Sequence, residues 1–363
     1  MKKVGIYIHI PFCRSKCAYC AFNSFFADFD VQKQYVERLI KEIESFEYKD
    51  EILADTVYFG GGTPSFLYEG GVSAIIDALK KRFIYSPREV SIECNPESIS
   101  QAKLSEYKSA GVNRLSIGLQ SASNDLLKKA GRIHTLEDFL RSVRLCKENG
   151  FDNVNCDIMI GLPGQSVKDV LDALNILFQF SIVKHISMYG LKPEENTPWQ
   201  NITVDEDLSA DMYDAAYDLL LKNGFIRYEI SNFSKPRYEC IHNIKYWKRQ
   251  DYIGFGLSAH SLIDNVRYAN PDSLSDYFQG KKSSLKLNEQ QIKEEYIMLA
   301  LRMEEGIDLQ DYNRQFGEDF LKSYKRPIDK LSKLGVIELS NEKLKIKPRF
   351  MGVMNSVIVE FFS

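Results

Sequence analysis

Residues 4–20, VGIYIHIPFCRSKCAYC, set the reading of the whole chain. The first part, Val4–His9, is β-branched and aromatic and predicts a strand. The rest breaks at Pro11 and then places Cys13, Cys17 and Cys20 within eight residues. A helical stretch, Val31–Phe46, follows, and the strand-then-helix pattern recurs down the chain. Thr56–Phe59 runs into Gly60–Gly61–Gly62 and a helix over Val72–Phe83. Val90–Cys94 precedes a helix over Ala102–Ala110, stopped at Gly111. Arg114–Leu119 precedes helical stretches at Asn124–Ala130 and Leu136–Asn149. Val154–Ile160 precedes Val167–Phe178, and His185–Gly190 closes the series. About six such units, with strands apolar enough to be buried on both faces, predict a parallel sheet. Right-handed crossovers leave an open doubly wound sheet or a barrel-like curl. Either form collects ligands at the carboxyl ends of its strands. Those ends carry the cysteine loop, Gly60–Gly62, Glu93, Gln120, Asp157 and Gly190.

Past Pro193 the alternation weakens. A helix over Leu208–Asn223 leads to an extended piece, Phe225–Ile230, and then to an irregular stretch from Ser231 to about Ser284 that is rich in Gly, Tyr and polar residues. From Leu285 the pattern is helical (Asn288–Met303, Asp308–Phe316, Phe320–Leu334), ending in the short extended pieces Val336–Leu339 and Lys343–Ile346. The expected division is therefore 1–230, a connecting segment 231–284, and a small winged-helix-like domain 285–363. That last segment carries 13 Lys/Arg against 13 Asp/Glu, and the chain as a whole has a formal charge of −3. Nucleic-acid binding needs clustered positive charge, so packing or partner contact is expected there instead. Of the 363 residues, 44% are apolar and 27% charged, the balance of a globular chain. No apolar run is long enough to span a membrane, and the run after Lys2–Lys3 is cut by His9, Pro11 and Arg14 with no cleavage site behind it. A cytoplasmic protein is expected.

Seven cysteines are an odd number, and four of them (Cys94, Cys146, Cys156, Cys240) are scattered singly, unlike a secreted disulfide framework. The singles read as small buried apolar residues. The clustered three read as metal ligands. Structural zinc prefers paired hooks from separated segments, and no second hook exists here. A four-iron cube normally takes four thiolates. Three from one short loop leave one iron open to a small molecule.

CxxxCxxC after a first strand, with Tyr19 between the last two cysteines, resembles the radical S-adenosylmethionine superfamily. That resemblance implies a [4Fe-4S] cluster on Cys13, Cys17 and Cys20, S-adenosylmethionine chelated at the open iron, and reductive cleavage to methionine and a 5′-deoxyadenosyl radical. It also implies a partial (β/α)6 TIM-like barrel with a small C-terminal helical domain. Gly60–Pro64 (GGGTP) lacks the Lys-Ser/Thr of a phosphate loop, and its three glycines allow close backbone approach to a ligand. By resemblance, Gly61, Gly62 and Thr63 lie against the methionyl end of the cofactor. Glu93 and Asp157 each interrupt an apolar strand. A carboxylate there must be hydrogen-bonded or paired, and on residues alone a structural ion pair with Arg114 or Arg132 serves equally well. By motif, Tyr7, Glu93, Gln120, Arg132 and Asp157 match cofactor-contacting positions.

The series YIHIPFCxxxCxYCxFN, GGGTPS, IECNP and IGLQS resembles the oxygen-independent coproporphyrinogen III oxidase group, which contains true oxidases and HemW-type heme chaperones. The oxidases carry a long extension before the cluster and a further cysteine where this chain has Phe22. Both departures favour the chaperone branch. His242–Trp247, HNIKYW, resembles that branch's HNxxYW signature and implies heme bound near His242, with His260 as the rival ligand; His9, His134 and His185 read as structural. On spacing alone, a loop His beside two aromatics is a packed residue. The expected partners are heme, heme-accepting proteins (respiratory ones among them) and an electron donor for the cluster. The alternatives are an oxidase that decarboxylates coproporphyrinogen III and a zinc-stabilised scaffold.

Overall fold

The computed structural model describes Met1–Phe362. Six strands, β1 (Lys2–Ile10), β2 (Ile52–Gly61), β3 (Ile84–Cys94), β4 (Arg114–Gln120), β5 (Val154–Ile160) and β6 (Val183–Gly190), lie side by side in chain order and run parallel. Unbroken order 1 to 6 means that every crossover winds the same way, which removes the doubly wound alternative and gives a barrel-type curl. The curl does not close on itself. Beside β1 come β9 (Tyr252–Phe255), β10 (His260–Ile263), β11 (Val266–Ala269) and β12 (Ser283–Lys286). Beside β6 come β8 (Asn232–Ser234) and then β7 (Ile226–Arg227). The result is a partial (β/α)6 barrel.

The helices cover the outer face. In α1 (Phe29–Glu44), Tyr35, Val36, Leu39 and Ile43 are buried at helical spacing, and Asp28 caps the first turn. Helices α2 (Gly71–Arg82), α3 (Gln101–Ala110), α4 (Asn124–Lys129), α5 (Leu136–Glu148), α6 (Val167–Leu177) and α7 (Glu206–Lys222) follow, all within two residues of the expected bounds. Capping boxes at Thr135/Asp138 and Ser166/Asp169 start α5 and α6.

The strands are not apolar on both faces. Along β3, Val90 and Ile92 point into the helical shell, while Glu89, Ser91 and Glu93 alternate with them. Register then lines up polar residues across the inside: Tyr58, Ser91 and Arg114 in one row, and Glu93, Ser116, Asn155 and His185 in the next. Glu89, Ser91, Arg114, Ser116, Asn155, His185 and Ser187 are all buried. The barrel thus has an apolar shell outside and a polar lumen inside. Glu93 and Asp157 belong to the lumen and interrupt nothing.

Residues 231–284, expected to be irregular, instead supply β8 and β9–β11 to the same sheet, with the helix α8 (Ile241–Trp247) between β8 and β9. Strands of three or four residues are too short to carry a period. The C-terminal part has its own core, including Ile297, Leu301, Tyr312, Phe320, Leu331, Leu344 and Ile346, around helices at Glu289–Ala300, Leu309–Phe316, Phe320–Ser323 and Lys325–Lys333 and a three-stranded sheet. Among the described residues, no helix is long and apolar enough to cross a membrane.

Candidate functional site

The cysteine loop and the glycine loop meet at the carboxyl ends of the barrel strands. The cysteine loop is tied at both ends: Phe25 N–H donates to Pro11 O (2.9 Å) and Cys13 N–H donates to Phe25 O (3.0 Å). Phe12, fully buried, makes edge contacts with Phe25 and Tyr35 beneath it. Ala18 N–H donates to Ala130 O (3.0 Å), and Trp199 N–H donates to Ala18 O (3.1 Å), so the loop's middle is pinned from two further segments. The glycine loop after β2 runs against it, with Gly62 N–H on Ile10 O and Thr63 N–H on Phe12 O, both 2.8 Å. A Cβ at Gly62 would stand 2.8 Å from Phe12 O and 3.0 Å from Cys13 Sγ. Only glycine permits this approach.

A cavity of about 390 Å³ lies between these loops. Cys13, Cys17, Cys20, Tyr19, Gly61, Gly62, Thr63, Glu93, Gln120, Arg132 and Asp157 all line it. Cys13 Sγ lies 3.3 Å from Thr63 Oγ1, and Arg132 Nη1 donates to Cys17 Sγ at 3.5 Å. Arg132 is itself held by Asn95 Oδ1 (2.7 Å) and Gly118 O (3.2 Å). Burial pushes the Cys13 and Cys20 thiols up, partly offset for Cys13 by its hydroxyl neighbours. Among the described residues, no three His, Cys, Asp or Glu side chains converge tightly enough to hold a single metal ion. The other four cysteines are buried.

The two carboxylates face the lumen from β3 and β5, on either side of β4. Glu93 accepts from Tyr58 OH (2.9 Å) and Gly61 N–H (3.1 Å), and Asp157 accepts from Asn155 Nδ2 (2.8 Å) and Ser116 Oγ (3.4 Å). Their partners are neutral donors rather than Arg114 or Arg132. Burial and the negative charge of Asp157 push the Glu93 carboxyl up to about 7, and burial raises Asp157 as well. The sign for stability follows directly. Between about 4.5 and about 7 folded Glu93 holds a proton that the unfolded chain releases, so its contribution is complete below 4.5 and is lost as pH rises through 7. Glu93→Gln is expected to raise the stability of the cofactor-free protein above pH 7 by about 1–3 kcal/mol and to flatten that slope. Urea titrations at pH 5 and pH 8 measure it; an unchanged slope contradicts the assignment.

Two expected residues lie elsewhere. Tyr7 does not line the cavity. Its ring stacks on Tyr58 at 6.4 Å and its hydroxyl meets His9 Nδ1 at 3.0 Å, one row below the rim. His242, the expected heme contact, is fully buried, with Nδ1 on Thr56 Oγ1 (2.9 Å) and Nε2 on Tyr246 OH (2.8 Å). Neither ring nitrogen is free for iron in this conformation. Its helix α8 packs on the amino-terminal side of the lumen, where Glu89 accepts from Ile241 N–H (2.7 Å) and His242 N–H (3.3 Å) and Lys245 pairs with Asp55 (2.9 Å). His260 is exposed on β10, while His9, His134 and His185 are buried and bonded. Asn95, Ser116, Tyr189 and Lys192 also line the cavity and went unnoticed in the sequence. Asn95, bridging Thr63 and Arg132, follows Glu93 by two residues at the end of β3 and could have been found by extending the strand-end rule.

Comparison with known proteins gives consistent results. The radical SAM superfamily pattern matches residues 7–177, and the HemN C-terminal domain pattern matches residues 287–349. The heme chaperone HemW of Lactococcus lactis subsp. lactis (strain IL1403) is 31% identical over 373 residues, covering 99% of this chain and 97% of that protein. The heme chaperone HemW of Bacillus subtilis (strain 168) is 32% identical over 354 residues, with 92% of each covered. The structure of coproporphyrinogen III oxidase (HemN) from Escherichia coli superposes with a TM-score of 0.87 at 20% identity, covering 99% of this chain and 90% of that one, a likeness of fold.

Proposed function

The chain belongs to the heme chaperone HemW family of radical SAM proteins, and from that premise we propose that it binds a [4Fe-4S] cluster, S-adenosylmethionine and heme and delivers the heme to acceptor proteins in the cytoplasm. The observation that carries the cofactor assignment is the convergence of three thiols, the Gly61–Thr63 backbone and two lumen carboxylates on one cavity. When bound, a cluster with one iron free of protein ligands supplies one-electron cleavage of the cofactor's sulfonium bond. The chain's own residues do the rest. Cys13, Cys17 and Cys20 hold the iron. Arg132 donates toward Cys17 and supplies positive charge for a carboxylate. The Gly61–Thr63 segment offers backbone at close range, Tyr19 covers the loop, and Gln120, Glu93 and Asp157 present polar atoms from the lumen.

We assign this chemistry to residues 1–230 together with the flanking strands of 231–284, and contact with partners to 285–363. Heme-accepting proteins and an electron donor are the partners this reading requires. The chaperone reading rests on relatives that match along nearly the full chain, whereas the oxidase is matched in fold alone. At the position where oxidases carry a further cysteine, Phe22 stands 68% exposed at the cavity rim.

The test is a heme titration of the anaerobically reconstituted protein, run beside an assay with coproporphyrinogen III. Stoichiometric heme binding with no loss of propionate carboxyls is expected. Decarboxylation on turnover would replace the chaperone reading with the oxidase one, and zinc without iron or sulfide in the purified protein would remove both.

A further inference from the structure

Asn95 joins two sides of the cysteine cavity. It follows β3 in extended backbone (φ −99°, ψ 144°), the conformation that Pro96 favours in the residue before it. Its N–H donates to Ser65 Oγ (3.1 Å) and its carbonyl accepts from Ser98 N–H (3.0 Å), so the backbone is held from both sides. The side chain then reaches Thr63, beyond β2, and Arg132, beyond α4. Asn95 Nδ2 donates to Thr63 Oγ1 (3.0 Å), and Asn95 Oδ1 accepts from Arg132 Nη2 (2.7 Å). Two sulfurs stand at the far ends of this bridge. Cys13 Sγ is 3.3 Å from Thr63 Oγ1, and Cys17 Sγ is 3.5 Å from Arg132 Nη1. Gly118 leaves room for it, since a Cβ there would stand 3.2 Å from Arg132 Nη2.

The chemistry of its members fixes the polarity of the bridge. A guanidinium has donors only, so the amide turns its oxygen to Arg132 and its nitrogen to Thr63. Thr63 Oγ1 thus receives a hydrogen from Asn95 and has its own hydroxyl hydrogen left for Cys13 Sγ. We propose that Asn95 is a positioning residue of the iron–sulfur site. It orients the Thr63 hydroxyl toward the Cys13 sulfur, holds Arg132 on Cys17 and so raises the cluster's reduction potential, which rests on the reading above that the three cysteines hold a cluster. Hydrogen bonds to the sulfurs favour the electron-rich reduced form.

Asn95→Asp tests it, because the change is nearly isosteric and reverses one bond. A carboxylate still accepts from Arg132 but has no hydrogen for Thr63, so the Thr63 hydroxyl donates to it and leaves the sulfur. Thr63→Val keeps the shape and removes the hydroxyl. The reduction potential of the full, anaerobically reconstituted chain is read from the electron paramagnetic resonance signal of the reduced cluster, without S-adenosylmethionine, in both single variants and in the double. Iron and sulfide contents of the same samples are expected at the wild-type level. Thr63→Val is expected to make reduction about tenfold less favourable, a fall of about 59 mV for one electron, the scale of one hydrogen bond to a charged group. In the Asn95→Asp background the same change is expected to shift nothing further, because the sulfur has already lost its hydrogen bond. The added carboxylate charge is present on both sides of that comparison and cancels. Equal Thr63→Val shifts in the two backgrounds overturn the proposal, as does no shift in the wild-type background. Should a variant take up no cluster, Asn95→Leu or Thr63→Ala stands in for it. A Thr63 shift at least halved by Asn95→Leu is then expected, and an undiminished one overturns the proposal. Wild-type protein without a four-iron cluster removes the reading of the cysteines and the proposal with it, whereas equal shifts remove the proposal alone.

Discussion

Cys17→Ala is expected to yield protein without iron or inorganic sulfide and without S-adenosylmethionine cleavage. The loop offers three sulfurs and no substitute. Cys94 also lines the cavity, but it is buried and its thiol is pushed up to about 12 by that burial, so it remains protonated. Cys146, Cys156 and Cys240 are buried as well. Cys17 is also the thiol that Arg132 faces, so the variant loses a ligand and its contact with Arg132 together. Two remaining thiolates do not retain a four-iron cube. The fold should survive, because Phe12, Phe25 and the Trp199–Ala18 contact anchor the loop without Cys17. Iron and sulfide analysis, with circular dichroism as the folding control, measures both halves. Full iron content in the variant would remove the loop from its assigned role.

Arg114→Met carries the largest expected loss of stability, about 3–5 kcal/mol, the usual consequence of taking one charge from a buried set. Arg114 is 2% exposed within the lumen, and its charge acts on Glu89, Glu93 and Asp157. Glu89 is 4% exposed and already committed to the start of α8. Without the guanidinium, three carboxyl groups share a closed space with no central cation. The deficit should shrink at pH 5, where Glu93, pushed up to about 7 by burial, takes up a proton and stops repelling its neighbours. Urea unfolding at pH 8 and pH 5 checks both statements. A loss below about 1 kcal/mol at pH 8 would mean that the lumen tolerates its acids unaided.

The strand-helix series was legible because each shell helix buries one stripe, as Tyr35, Val36, Leu39 and Ile43 do, and because glycines such as Gly111 end helices in the left-handed region. The cysteine loop and the glycine loop were legible for the same kind of reason: their spacing has few uses. What stayed hidden depends on which way side chains face. Ser91, Ser116 and Asn155 are small and polar between Val, Ile and Leu, so β3–β5 read as apolar runs although every second residue faces inward. The burial of His242 was not legible because a motif states which residues are near each other in sequence and nothing about whether they are covered. Only the register of β1 and β2, with Gly5 opposite Thr56, shows that a space for an imidazole lies between them.

That division of each strand into a shell side and a lumen side has an evolutionary corollary. Odd and even positions answer to separate selective pressures, so drift in the residues that confer chemistry need not erode those that confer folding. A lineage, or a directed-evolution campaign, could rewrite the interior one alternate residue at a time and inherit an intact scaffold at every step.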